Sequence, residues 1–110
     1  MMSKQQVHVP ISRESMRILR AQKEEERRIQ QVEGEIAKIY QSAIRTAENT
    51  NDSRYLHPLD SPFRPPLEFY KMNMAEILAG VQYLFPGCSV KHTTRDAAPY
   101  AGGYIVVDWS

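Results

Sequence analysis

Apolar residues recur every three or four positions through one long stretch of this chain: Ile29, Val32, Ile36, Ile39, Ala43 and Ile44, with Tyr40 and Ala47 beside them. That period lines up one face of a helix, the kind of stripe that packs on a core. Between Ser12 and Asn49 there is no proline and only one glycine, Gly34. Ser12 is a good N-cap, and Glu14 stands in the first turn, where the helix dipole favours an acid. A single helix of roughly 36 residues is predicted, about 54 Å long at 1.5 Å per residue. The cluster Glu48-Asn49-Thr50-Asn51-Asp52-Ser53 should end it.

The first half of that helix has a different character. Gln22 to Arg28 (Gln-Lys-Glu-Glu-Glu-Arg-Arg) is polar around its whole circumference. Such a turn stays in solvent, supported by weak i,i+4 pairs such as Arg20–Glu24 and Glu24–Arg28. Before it, Met16, Ile18, Leu19 and Ala21 form a second, shorter apolar patch. Two apolar patches divided by a solvated turn imply two partners: the chain's own core, and something else. The expected organisation is therefore an N-terminal arm and charged half-helix over residues 1–28, followed by one small domain over 29–110.

The remainder alternates strand and helix signals. Val7 and Val9 before Pro10 suggest an extended arm, and Arg54-Tyr55-Leu56-His57 a short strand stopped by Pro58. Four prolines fall between Pro58 and Pro66, which predicts an irregular extended segment. Asn73-Met74-Ala75-Glu76 reads as a capping box opening a second helix. That helix would bury Ile77, Leu78, Val81, Leu84 and Phe85 and stop at Pro86-Gly87. Residues 88–94 and 104–109 are β-prone and joined by a loop holding Pro99 and Gly102-Gly103, a long hairpin. The expected fold class is α+β: a long N-terminal helix, then β-α-β-β. Its sheet would be small, mixed and three-stranded, ordered 1-3-2, with two helices covering one face. The most apolar strand, the last, takes the centre, and helix 2 crosses over between parallel outer strands.

Composition narrows this picture. At 110 residues there is room for one domain with a small core. The formal charge is +1, which gives no global electrostatic case for nucleic acid or an anionic membrane. Residues 1–28 hold seven Lys/Arg against four acids, so the first half-helix carries the positive excess. Cys88 stands alone, so no internal disulfide forms and a Cys-rich zinc module is excluded. The polar N-terminus lacks a signal-peptide core, and no run is long enough to span a membrane. An intracellular protein of the cytoplasm or nucleus is expected.

No constellation for chemistry stands out. Cys88 and His92, four residues apart on one strand, share a face but lie about 13 Å apart at ~3.3 Å per residue, too far for one metal ion. A zinc site would need His57 or Asp96 to converge as well. The same distance defeats a Cys–His nucleophilic pair. A metal-dependent nuclease would need a second acid near Asp96 or Asp108 and Lys91. There is no Walker A or GxGxxG sequence. Pro62-Phe63-Arg64-Pro65 matches PxxP but also routes a loop, and Trp109 is best explained by packing on helix 1. No catalytic, cofactor or metal residues are therefore assigned.

Ile77-Leu78, the run Leu84-Phe85-Pro86-Gly87-Cys88-Ser89-Val90 and the terminal Ile105-Val106-Val107-Asp108-Trp109-Ser110 resemble a type of small uncharacterised protein encoded by large nucleocytoplasmic DNA viruses. In that pattern a charged helix leads to an amphipathic helix, an FPxC-like turn and a closing strand near Asp-Trp-Ser. The resemblance covers roughly residues 29–110. It implies a setting, an infected host cell and a virion or virus-factory component, and no activity.

The function expected is a non-enzymatic structural or interaction protein. Met16 and Leu19, with Arg13, Arg17, Arg20, Arg27 and Arg28, would meet a protein partner or a second copy, most simply as a homodimer. The alternative places the same arginines on nucleic-acid phosphates.

Overall fold

The computed structural model describes residues 8–60, 64–94 and 102–110. Its elements run α1 (Arg13–Asn49), β1 (Arg54–Pro58), α2 (Leu67–Leu84), β2 (Ser89–Thr93) and β3 (Tyr104–Asp108). The α+β order read from the pattern is the observed one, and α1 is a single helix. Ser12 caps it: the Ser15 backbone N–H donates to the Ser12 hydroxyl at 3.0 Å. In the polar turn the ion pairs Lys23–Glu26, at 3.3 Å, and Arg28–Glu25, at 2.8 Å, run at i,i+3 spacing. The chain divides into two compact units, Met1–Gln30 and Gln31–Ser110.

The second unit is built on a three-stranded sheet of order β1-β3-β2. Both pairings are antiparallel, so the sheet is not mixed as expected. The outer strands do run parallel to each other, with α2 as the crossover, but β3 lies between them and bonds to both. Register places His57 and His92 on either side of Ile105, and Leu56 and Lys91 on either side of Val106. Because strand side chains alternate, Tyr55, His57, Val90, His92, Ile105 and Val107 share one face. Helical residues Val32, Ile39 and Ala43 of α1 and Tyr70, Ile77 and Val81 of α2 join Ile105 and Val107 in the buried core. Trp109 packs on that core as expected, and its backbone N–H donates to Ser53 at 2.9 Å, tying the chain end to the start of β1.

Helix α2 departs from expectation at its start. It begins at Leu67, directly after Pro65-Pro66, and Pro66 in the cap position makes no side-chain cap. Asn73 is not a cap. It lies within the helix, buried, with its Nδ2 donating to the Phe69 carbonyl at 2.8 Å. The physical reason is burial: Tyr70 lies seven residues before Ile77 and eleven before Val81, so extending the helix backward adds a large ring to the same core face. Leu84, expected inside, is exposed at the helix end. The first ten residues and the PxxP stretch are only partly within the described residues; Val7, Pro62, Phe63, Asp96, Pro99 and Tyr100 lie outside them.

Gly103 carries the hairpin's return into β3. Its φ is +79°, and an added Cβ would fall 1.9 Å from the Thr93 carbonyl oxygen. Its own carbonyl accepts the Leu59 N–H at 3.2 Å, linking the hairpin to the end of β1. Gly103→Ala is therefore expected to destabilise the domain by at least about 1–3 kcal/mol from backbone conformation alone, with the clash in addition. Urea unfolding measures this. A midpoint equal to wild type would show that the hairpin re-forms without this conformation.

Candidate functional site

The most organised polar cluster is buried. Glu35 of α1 is 2 % exposed and His57 of β1 is 0 % exposed. The Glu35 Oε2 atom accepts from His57 Nε2 at 2.8 Å and from the Tyr70 hydroxyl of α2 at 2.5 Å. The Lys38 ammonium, one turn along α1, lies 3.6 Å from Oε1. On the far side of the imidazole, Nδ1 meets the Tyr55 hydroxyl at 2.8 Å and the Arg64 Nη2 at 3.4 Å. Arg64 Nε donates to the Pro58 carbonyl at 3.1 Å. Five side chains from two helices, one strand and a loop thus form one chain of hydrogen bonds, and among the described residues no buried side-chain N or O lacks a partner.

The protonation states follow from this geometry. Burial pushes the Glu35 carboxyl up, but the hydrogen bonds from His57 and Tyr70 and the charge of Lys38 outweigh it, so it is held below the usual carboxylate value. Burial pushes His57 down; the Glu35 hydrogen bond opposes this and the Arg64 charge adds to it, leaving a neutral imidazole at pH 7. Burial and then the bond to Glu35 push the Tyr70 hydroxyl well up, so it remains a donor. A carboxylate only accepts. Nε2 therefore carries the His57 proton, and Nδ1 is the acceptor that Tyr55 and Arg64 supply with donors.

An acid–His–hydroxyl chain of this kind is used elsewhere to activate nucleophiles. Here both reactive groups are sealed from solvent, and each position around the imidazole is occupied by the chain's own side chains. The arrangement ties α1, β1 and α2 together. Sequence reading missed Glu35 and Tyr70. The available signal was phase: Glu35 lies three residues after Val32 and four before Ile39, an acid in the middle of an apolar stripe.

The residues expected to form an interaction surface lie elsewhere. Arg13, Arg17, Arg20, Met16, Leu19 and Arg27 are all exposed on α1, and Arg28 is half-covered beside Glu25. Helical spacing puts Arg13, Arg17, Arg20 and Arg27 on one face, with Glu24 among them. Ile18 and Ile29, eleven residues apart, share the opposite face. Met16, eleven residues before Arg27, lies at the edge of the arginine face, and Leu19 lies between the two faces, so helix geometry keeps Met16 with the basic members of the expected surface and turns Leu19 away from them. Six of the ten exposed large apolar side chains among the described residues, Val9, Ile11, Met16, Ile18, Leu19 and Ile29, fall in this short segment.

The remaining sequence candidates do not assemble. His92 Nε2 donates to the Gly102 carbonyl at 2.7 Å, and Cys88 lines an apolar hollow with Ala43, Ile44, Ala47, Phe85 and Trp109. Asp108 accepts from the Ser110 hydroxyl at 2.7 Å and its N–H at 2.9 Å. Among the described residues no second acid joins Asp108, Lys91 and Arg54 in lining the hollow on the outer sheet face; Asp96 lies outside them. Among the described residues no three His, Cys, Asp or Glu side chains gather as metal ligands would, and no helix is long and apolar enough to cross a membrane. No protein-family model, curated protein or solved structure matches this chain.

Acid sensitivity should report the buried cluster. His57 and Glu35 both bind a proton more weakly in the folded chain than in the unfolded one. The unfolded chain therefore takes up more protons as pH falls, and stability is lost. Stability is expected to be level above the ordinary histidine value of 6.5. It should decline below that pH and decline further below 4.5 as the carboxyl titrates. Urea midpoints across this range test it, with His57→Gln losing the upper limb only. At neutral pH, Tyr70→Phe removes one bond to a charged acceptor and should cost about 1.5–3 kcal/mol. A flat profile down to pH 4.5 in the wild type would contradict the assigned protonation states.

Proposed function

We propose that this chain is a non-enzymatic structural or interaction protein that uses the first half of α1, residues 13–28, to associate with a second copy of itself or a protein partner. The observation that carries this reading is the exposure of Met16, Ile18 and Leu19, each more than half open to solvent. Single exposed apolar residues need no explanation, but a concentration of them on one helical segment marks an association surface. A helical stretch gains most of its stability from packing an apolar face, and Met16, Ile18 and Leu19 of this one are exposed. Self-association is the simplest solution, since a two-fold pairing covers the same patch on both chains. The resemblance to small proteins of large DNA viruses supports a setting in an infected cell, as a virion or virus-factory component.

A second reading is favoured by one observation: Arg13, Arg17, Arg20 and Arg27 line up on the face opposite Ile18. On this reading that face contacts nucleic-acid phosphates, and Glu24 within it limits the affinity.

Light scattering on the full chain is expected to give twice the mass of one chain. Ile18→Lys combined with Leu19→Lys should give a single-chain mass with unchanged urea stability of the domain. A single-chain mass for the wild type removes self-association. The nucleic-acid reading requires binding that weakens steeply with salt and is lost in Arg17→Gln with Arg20→Gln; salt-independent binding would exclude it.

A further inference from the structure

Three basic side chains border one shallow hollow on the second unit, and the fold gives them no other common purpose. Lys38 and Arg45 lie seven residues apart on α1, two turns along the same face. Gln41 and Ser42 lie between them, and Arg64 closes the hollow from the segment after β1. With Ala37 these are its lining residues among those described, around a volume of about 370 Å³, and none of them is acidic. We propose that this hollow is an oxyanion site that takes a phosphate group, free or carried on a small organic molecule.

The cations are only partly compensated. Glu35, beneath the helix surface, lies 3.6 Å from Lys38 but already accepts from His57 and Tyr70. Arg45 makes no hydrogen bond or ion pair with any described residue. Arg64 is half-buried and oriented in advance: Nε is bound to the Pro58 carbonyl and one Nη2 hydrogen faces His57 Nδ1. A guanidinium has five N–H donors, so most of its fork remains available. Rigid placement of an arginine lowers the ordering cost of binding an anion. The buried cluster therefore does a second job, setting the cation that faces outward.

The chemistry points to phosphate over a carboxylate. One arginine satisfies a carboxylate, whereas three cations and two neutral side chains around a single hollow suit a multiply charged anion with several oxygens. The volume lies in the lower range of small-molecule sites, with the Ala37 methyl and the lysine and arginine stems as an apolar wall. A phosphate monoester with a small apolar group is the best fit.

Backbone-amide NMR titration of the full chain at low salt tests this, with inorganic phosphate and phenyl phosphate as probes. Saturable shifts are expected at Lys38, Gln41, Ser42, Arg45 and Arg64. Tighter binding of phenyl phosphate assigns the site to organic phosphates, and equal binding assigns it to the free anion. Arg45→Gln, which removes no contact the fold uses, should weaken binding by about tenfold or more, the loss of one charge-assisted bond. Arg17→Gln, on the first half of α1, should leave it unchanged. This control also separates the site from the proposed association surface. No saturable shift at these residues, or equal weakening by both substitutions, overturns the proposal.

Discussion

The folded domain depends on solvating one buried carboxylate. Removing an ion from water costs several kcal/mol even after relaxation, so Glu35 can sit inside only if donors meet it there. Tyr70 and His57 are those donors, and they come from α2 and β1. Satisfying Glu35 therefore sets the rotation of α1, the rotation of α2 and the register of β1 at once. A one-residue slip of β1 would carry His57 to the open face of the sheet and leave the carboxylate short of a partner.

The same requirement organises the surroundings. A neutral His57 donates through Nε2 and must accept at Nδ1, which draws in Tyr55 from its own strand and Arg64 from the loop beyond it. Arg64 in turn holds the Pro58 carbonyl at the end of β1. Apolar packing of Ile39, Ile77, Val81, Ile105 and Val107 provides the bulk of the driving force, since burial is not directional. The polar chain supplies direction, because hydrogen bonds tolerate little error in distance or angle. Lys38 and Arg64 connect this network to the surface, where both also line the basic hollow.

Helix α1 has two halves that its sequence keeps distinct. From Val32 onward it contributes to the core; from Arg13 to Arg28 it is exposed throughout or nearly so. The polar turn between them prevents the apolar residues at Met16 to Leu19 from being read as a continuation of the core stripe. Their exposure is the observation on which the proposed association rests.

Periodicity in the sequence was enough to determine the elements and their order. The α1 stripe, the Ser12 cap, the apolar closing strand and the Gly102-Gly103 hairpin are all local patterns, and local patterns carry secondary structure. The central place of β3 followed from its being the most apolar strand. The beginning of α2 was not legible, because Asn73-Met74-Ala75-Glu76 has the form of a cap, and only the burial of Tyr70 favours the longer helix. Glu35, His57, Tyr70 and Arg64 are far apart along the chain, and nothing in their spacing says that they meet. Only the tertiary structure brought the long polar helix, a strand histidine and a loop arginine together, because a buried charge selects its partners by position in space rather than by distance in sequence.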